Sequence, residues 1–264
     1  MHHWLKRLFA LAAPLLLTGC LWGPGKFVSD LTLKRDGTFV LDYRGEMLLQ
    51  LPPDAEPKPW TADMAHCTND HGQDRACTPA EVASQKADHD KQAADKRKQS
   101  EDMAKLFGLP GLDDASNRAF AAKLTKYAGW RSVTYRGKGV FDVDYHFEGS
   151  ARQDFLFPAL PDNNLIVPFI ALRRRADGSV LVTAPAFTGG AGALASGMGA
   201  AAPPSKLGEG GPVSRAQGRF TVVTDGEILT NNSEDGAAPH PLGRQLHWDV
   251  GPDSTKIPET LIRL

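Results

Sequence analysis

The 264-residue sequence has almost no charge imbalance and no familiar catalytic motif, and both absences narrow its function. Thirty lysines and arginines face 31 aspartates and glutamates, a formal net charge of −1, so no bulk attraction to nucleic acid is expected. The chain also has no G-x-S-x-G elbow, no H-E-x-x-H motif, no Walker loop and no kinase signature. These absences point away from a nucleic-acid partner and from the enzymes that those motifs define.

The first apolar run is too short to cross a membrane. Residues 8–17 supply only about half of the roughly 20 apolar residues of a transmembrane helix. A cationic start, a short apolar stretch and small residues before a cut are the parts of a secretory signal peptide. The run closes with Leu17-Thr18-Gly19-Cys20, which resembles the lipobox of bacterial lipoprotein precursors at all four positions.

The resemblance to lipoprotein precursors implies a fate for the amino terminus. The signal peptide, residues 1–19, would be removed, and Cys20 would carry a diacylglycerol and an amide-linked acyl chain such as palmitate. Two or three acyl chains form a stable anchor, whereas one chain binds only marginally. Leu21 follows the cysteine where a retention signal would have aspartate. In a Gram-negative host this implies the periplasmic face of the outer membrane, and in another host the cell membrane.

Cys67 and Cys77 are the only other cysteines, and they lie in a polar stretch. An even pair in an exported protein favours a disulfide bond, because the bacterial periplasm is oxidising. The alternative is a metal site that adds His66 and His71, since thiolate and imidazole are ligands of zinc and copper. The spacing matches no zinc-finger pattern, so the disulfide is the prediction.

The mature chain, residues 20–264, is predicted to be a single membrane-apposed α+β domain. Its framework is an antiparallel β-sheet of about eight strands, because alternating apolar segments are joined by turn-length gaps. An Asp36-Gly37 turn between 26–34 and 38–44 is typical of a β-hairpin. Further strands are expected over 131–135, 140–147, 165–173, 179–183, 219–224, 227–230, 246–250 and 261–263.

The first predicted strand begins close to Cys20. Only residues 21–25 lie between them, a tether that reaches at most about 17 Å. We therefore expect the domain to lie against the membrane and to work at the lipid surface.

A helical insertion over about 79–127 is expected to cover one side of the sheet. Thr78, Pro79 and Glu81 are typical of an N-cap, a first-turn proline and a capping-box glutamate, so a helix should begin at Pro79. It is polar on nearly all sides and fits either a solvated helix or a partner-binding one. Asp114 is expected to cap a second helix with an apolar side.

A segment rich in glycine, alanine and proline spans about 188–212. Such small side chains offer little to pack, so this segment is predicted to be a flexible loop. Its Gly190 to Ala195 stretch superficially fits a dinucleotide-binding fingerprint, but the glycines and prolines that follow cannot form the required helix.

One predicted strand carries the residues best suited to chemistry. Asp142, Asp144 and His146 form a row on one face if the alternation turns Phe141, Val143, Tyr145 and Phe147 inward. Carboxylates and an imidazole spaced about 7 Å apart along a strand can bind a divalent cation or share acid–base work when they are enclosed. A strand with one solvated face shows the same pattern, and both interpretations stay open.

Beyond the lipobox, the short tether, the β-rich body and a late tryptophan-bearing strand are similar to lipoproteins of the LppM type and to other exported lipoproteins. The resemblance implies an antiparallel domain with a hydrophobic pocket or groove, and no functional residue is carried over from it. The inward aromatic residues are candidates either to line such a pocket or to fill the core. Those named here are Phe39, Tyr43, Phe141 and Tyr145.

Two hypotheses follow. The favoured one is a non-enzymatic, lipid-anchored, periplasm-facing envelope lipoprotein that binds a lipid or another amphiphile, or that assembles with an envelope protein. The alternative is a periplasmic metal-assisted hydrolase that uses Asp142, Asp144 and His146. In the favoured hypothesis the membrane is a partner through the acyl anchor, and no cofactor is predicted.

Overall fold

β-Strands dominate the computed structural model, which describes residues 22–49, 59–106, 113–160, 168–188 and 216–264. The chain separates into two compact units. One, here called the disulfide unit, is drawn from residues 51–112, and the other, here called the β body, is drawn from residues 1–50 and 113–264. The prediction of a sheet-and-helix protein is confirmed at this level.

The β body contains two sheets of different size. The seven-stranded sheet has the order β12-β13-β10-β1-β2-β6-β5, where the strands are β1 (Trp22–Leu33), β2 (Thr38–Leu49), β5 (Trp130–Gly137), β6 (Val140–Ser150), β10 (Gln217–Thr224), β12 (Ala238–His240) and β13 (Gly243–Val250). The five-stranded sheet has the order β11-β14-β9-β8-β7, where the strands are β7 (Phe155–Phe157), β8 (Ile170–Arg174), β9 (Val180–Thr183), β11 (Glu227–Asn231) and β14 (Glu259–Arg263).

Strand pairing differs from the predicted single antiparallel sheet of about eight strands. The β1–β2 hairpin forms as expected, with Leu31 opposite Leu41. On its other side, however, β1 pairs in parallel with β10, and Lys26 lies opposite Gln217. Local turn signals cannot reveal such a pairing, because its two strands are far apart in the sequence. The other described pairs within both sheets are antiparallel.

Aromatic rings of the two sheets pack against each other in the interior of the β body. Phe141, Val143 and Tyr145 are buried as the predicted alternation for β6 requires, and Phe147, the fourth predicted inward residue, is half-buried. The ring centroids of Tyr145 and Phe157 are 4.5 Å apart, and other contacts join Tyr43 to Phe157 at 5.0 Å and Phe39 to Phe155 at 4.9 Å. Such ring pairs contribute about 0.5–1.5 kcal/mol beyond the burial of their area.

A short helix, α2 (Asp114–Leu124), packs on the end of the seven-stranded sheet where β1 begins. Its Phe120 stacks on Trp22 with centroids 5.5 Å apart and meets Phe141 edge-on at 6.1 Å. Its N-cap is Asp113, whose carboxylate accepts a hydrogen bond from the Ser116 N–H. The predicted cap, Asp114, is instead the first helical residue, because the preceding aspartate takes the extended N-cap conformation.

The disulfide unit contains the long helix α1 (Pro79–Leu106) and a small hairpin of β3 (Cys67–Thr68) and β4 (Asp74–Arg75). The helix begins at Pro79 as predicted, and its capping box is formed. The Glu81 N–H donates to Thr78 Oγ1 at 3.3 Å, and the Thr78 N–H donates to Glu81 Oε2 at 2.8 Å. The two helices of the predicted 79–127 insertion thus fall in different compact units.

The predicted flexible loop, 188–212, lies outside the described residues except for Thr188, which is buried and donates to the Pro185 carbonyl. Among the helices in the described part of the chain, none is both long and apolar enough to cross a membrane.

Candidate functional site

The chain enters the sheet directly after the lipobox-like segment. Residues 1–19 and Cys20 lie outside the described residues, and β1 begins at Trp22, earlier than the predicted start at Lys26. Trp22 is buried, with 1% of its surface exposed, and it contacts the rings of Phe120 and Phe141. Only Leu21 separates Cys20 from this strand, so the link between them can reach at most roughly 7 Å, less than the about 17 Å expected from a strand that starts at Lys26.

The disulfide between Cys67 and Cys77 is present. Their sulfur atoms are 2.08 Å apart and their Cα atoms 5.3 Å apart, a separation that permits an ordinary bridge. The bridge closes a loop of the β3–β4 hairpin against the start of α1. Gln85 on that helix adds a contact, since its Nε2 donates to the His66 carbonyl at 3.0 Å.

The geometry gives little support to the alternative hypothesis of a metal site in the cysteine loop. Both sulfur atoms are taken up by the disulfide and are not thiolate ligands. His66 Nε2 lies 3.6 Å from Asp74 Oδ1, and both side chains are mostly exposed. His71 contributes a backbone N–H to Asn69 Oδ1. In the described residues, no group of three or more His, Cys, Asp or Glu side chains is arranged to hold a metal ion.

The row of Asp142, Asp144 and His146 lies on the outer face of the seven-stranded sheet, opposite the buried side chains of β6. Each member contacts a different side chain on a neighbouring strand. The contacts are Arg136 Nε to Asp142 Oδ2 at 2.5 Å, Arg44 Nε to Asp144 Oδ1 at 3.7 Å, and His146 Nδ1 to Asp42 Oδ1 at 2.8 Å.

These contacts make the row a cross-strand ladder of polar pairs. The side chains of Asp142 and Asp144 are 41% and 37% exposed, and that of His146 is 25% exposed. Opposite charges on facing positions stabilise strand pairing. The arrangement directs each side chain toward its own partner and does not gather the three around a common point.

A different set of charged residues lines a cleft of about 300 Å³ in the β body. The lining comes from the β1–β2 turn, the segment after β6, the β8–β9 turn and the end of β14. It consists of Arg35, Asp36, Gly37, Arg152, Arg174, Asp177, Gly178, Arg263 and Leu264. We call this feature the arginine cleft.

The two acidic residues of the arginine cleft are committed to their own turns. The N–H and hydroxyl of Thr38 both donate to Asp36 Oδ1, at 2.8 and 2.6 Å. Ser179 donates in the same way to Asp177 Oδ1, at 3.0 and 2.6 Å. These hydrogen bonds lower the pKa of both carboxyls below the usual aspartate value. Both groups are therefore charged at neutral pH, and one oxygen of each, Oδ1, accepts the hydrogen bonds inside its turn.

The arginines of the cleft form two classes. Arg35 and Arg263 are held: Arg35 Nη2 donates to the Asp225 carbonyl at 2.9 Å, and Arg263 Nη1 lies 2.7 Å from Glu227 Oε2. Arg152 and Arg174 contribute only their backbone N–H groups, to Ser150 and Asp154. Within the described part of the chain, their guanidinium groups make no hydrogen bond or ion pair.

Sequence reasoning did not identify the four arginines as a group. The Asp36-Gly37 pair predicts only a turn. Gly37 and Gly178, which each follow an aspartate of the cleft, adopt positive φ angles of 86° and 84° that suit glycine. An arginine close before each Asp-Gly pair was the available signal. No comparable sequence signal points to Arg152 and Arg263, because only the fold brings them beside those turns.

Comparison of the chain with protein-family models, with curated proteins and with solved structures finds no match in any of the three.

Proposed function

We propose that the chain is a lipid-anchored, periplasm-facing envelope lipoprotein that acts as a non-enzymatic binding or assembly module. The observation that carries the proposal is the direct passage from the lipobox-like Leu17-Thr18-Gly19-Cys20 into a strand that is fixed from Trp22 onward. An acylated Cys20 would hold the β body within roughly 7 Å of the lipid surface. Leu21 favours the outer membrane in a Gram-negative host, and other hosts would retain the protein at the cell membrane.

The interior of the β body favours binding at the surface of the protein. Phe39, Tyr43, Phe141 and Tyr145 are all buried, and their ring centroids lie 4.5–5.2 Å from those of neighbouring rings. Side chains packed in this way fill a core. The proposal therefore favours assembly with an envelope component or a polar ligand over the enclosure of a lipid or other amphiphile.

The outer face supports the non-enzymatic form of the proposal. The alternative hydrolase requires Asp142, Asp144 and His146 to act on one reacting group, which calls for convergent side chains. Their separate pairing with Arg136, Arg44 and Asp42 argues for a structural role instead.

Replacement of the anchoring cysteine tests the proposal directly. Cys20→Ala in the full chain is expected to abolish incorporation of labelled palmitate and to move the protein out of the membrane fraction, because no acyl chain can be attached. The matched control is Cys67→Ala/Cys77→Ala, which removes the disulfide and keeps the lipobox-like segment. Retention of Cys20→Ala in membranes at the wild-type level would contradict lipid anchoring.

A further inference from the structure

We propose that the arginine cleft of Arg35, Arg152, Arg174 and Arg263 binds a multiply charged oxyanion of the phosphate class. Guanidinium groups present paired N–H donors that match the oxygens of a phosphate. Arg152 and Arg174 supply the free donors, since neither guanidinium is paired within the described residues. Arg35 donates to the Asp225 carbonyl and Arg263 pairs with Glu227, so these two guanidinium groups already have partners at the edge of the site.

The charge of the arginine cleft favours an anion. Four arginines and two aspartates line it, Glu227 pairs with Arg263 and Asp225 accepts the Arg35 N–H, so the positive charge offered to a ligand lies mainly on Arg152 and Arg174. Hydrogen bonds from Thr38, with a smaller electrostatic contribution from Arg152, lower the pKa of Asp36, so an anion would share Arg152 with that carboxylate. Guanidinium groups that have no ion-pair partner attract anions to the cleft.

The size of the arginine cleft sets the class of ligand. A volume of about 300 Å³ lies at the lower end of ligand-binding cavities. It accommodates a phosphate or diphosphate group and leaves the remainder of a larger molecule in solvent. The lining is polar, so recognition would depend on the charged group and not on an apolar tail.

The position of the arginine cleft indicates where the anion comes from, and this step rests on the proposed function. β1 runs from Trp22, beside the proposed anchor, to Leu33, immediately before the turn that contributes Arg35. Twelve residues of strand span roughly 35 Å. The arginine cleft thus lies at the end of the β body remote from the anchor, and its anion would arrive from the aqueous side.

Binding can be measured with the acylated full-length mature protein in neutral phosphatidylcholine vesicles, with inorganic pyrophosphate as the probe. Calorimetric titration is expected to show binding that Arg152→Gln/Arg174→Gln weakens at least about tenfold, equivalent to about 1.4 kcal/mol. The matched control, Arg97→Gln/Arg131→Gln, removes two exposed arginines from outside the cleft and should bind as wild type does. Circular dichroism melting verifies that both double variants fold.

The outcomes separate the sources of the anion. Pyrophosphate binding with no effect of added phosphatidate vesicles assigns the site to a soluble phosphate compound. Clustering of the protein-bearing vesicles with phosphatidate vesicles, reversed by pyrophosphate, assigns it to the headgroups of a second membrane. Absence of both responses, or equal weakening in the two double variants, would overturn the proposal.

Flotation of the vesicles reports on the anchor independently. A protein that binds pyrophosphate but does not float with the vesicles contradicts lipid anchoring and leaves the arginine cleft supported. A protein that floats but binds no anion supports lipid anchoring and contradicts anion binding by the arginine cleft.

Discussion

The β body and the disulfide unit are stabilised in different ways. In the β body, large side chains such as Phe141, Tyr43 and Phe220 are almost completely buried. Among the described side chains of the disulfide unit, Cys67 alone is buried, at 8% exposure. That unit relies on the Cys67–Cys77 bridge, a capping box and exposed ion pairs such as Lys86 with Asp90.

The difference separates non-local from local sources of stability. Burial of apolar area acts over the whole β body and requires distant strands to meet. A disulfide, an N-cap and i,i+4 ion pairs act within a few residues and hold one segment at a time. We therefore expect substitutions in the β body to change global unfolding and substitutions in the disulfide unit to change local opening.

The largest effect is expected from Phe141→Ala. This ring contacts Trp22, Phe120 and Tyr135, and its removal would leave a cavity between α2 and the seven-stranded sheet. The free energy of unfolding should fall by about 3–5 kcal/mol, measured by denaturant unfolding followed through tryptophan fluorescence. Val28→Ala is the control, because Val28 is 54% exposed and a surface change is typically worth within about 0.5 kcal/mol.

The next effect is expected from removal of the disulfide with Cys67→Ser/Cys77→Ser. The loop-entropy model gives a loss of roughly 2.5–3 kcal/mol for a loop of this length. Hydrogen exchange should show faster opening of the β3–β4 hairpin and the first turns of α1, with the β body unchanged. A matching loss of protection in β1, β2 and β6 would show that the two units unfold together.

A smaller effect concerns the first turn of α1 at low pH. A side-chain hydrogen bond from Arg75, followed by bonds from Thr78, lowers the pKa of Glu81 from 4.5 to about 2. The carboxylate form is thus favoured in the folded unit, so its stabilisation is present above pH 4.5 and is lost between about 4.5 and 2. NMR titration of the Glu81 carboxyl carbon should give a midpoint near 2.

The control for this titration comes from the same helix. In Glu81→Gln, the helicity of the first turn should no longer fall over that pH range, because no carboxylate remains to be protonated. Asp95→Asn, an exposed change later in α1, should leave it in place. A Glu81 midpoint near the ordinary glutamate value would mean that the Arg75 and Thr78 bonds do not persist in solution.

Local chemistry explains what the sequence could predict. The start of α1 at Pro79 follows from Thr78 and Glu81, whose hydrogen bonds involve only neighbouring residues. The burial of Phe141 and Val143 follows from the two-residue period of a strand. The disulfide of Cys67 could be predicted because one other cysteine lies within reach along the chain.

The features that could not be predicted from the sequence depend on contacts between residues far apart along the chain. The parallel pairing of β1 with β10 and the division into two sheets depend on strands distant in sequence. The arginine cleft collects Arg35, Arg152, Arg174 and Arg263 from four separate segments, so no spacing along the chain reveals it. The prediction of Asp114 as the N-cap was wrong by one residue. Asp113 and Asp114 both satisfy the sequence preference for an N-cap, and the cap is Asp113.

The smallest effect is expected from Asp142→Asn, which breaks the pair with Arg136 on the outer face of the seven-stranded sheet. The two side chains are 41% and 62% exposed, and an ion pair in such a position contributes about 0–1 kcal/mol, less in high salt. Denaturant unfolding at low and high salt measures the change.

Asp142 and Phe141 are adjacent on β6 and face opposite sides of the sheet, which makes this pair of substitutions a sharp test. If stability comes from burial, the inward change should cost several times more than the outward one although they alter neighbouring residues of one strand. A loss above about 2 kcal/mol for Asp142→Asn exceeds what an exposed pair contributes. It would show that the polar ladder, like the aromatic interior, takes part in holding the β body together.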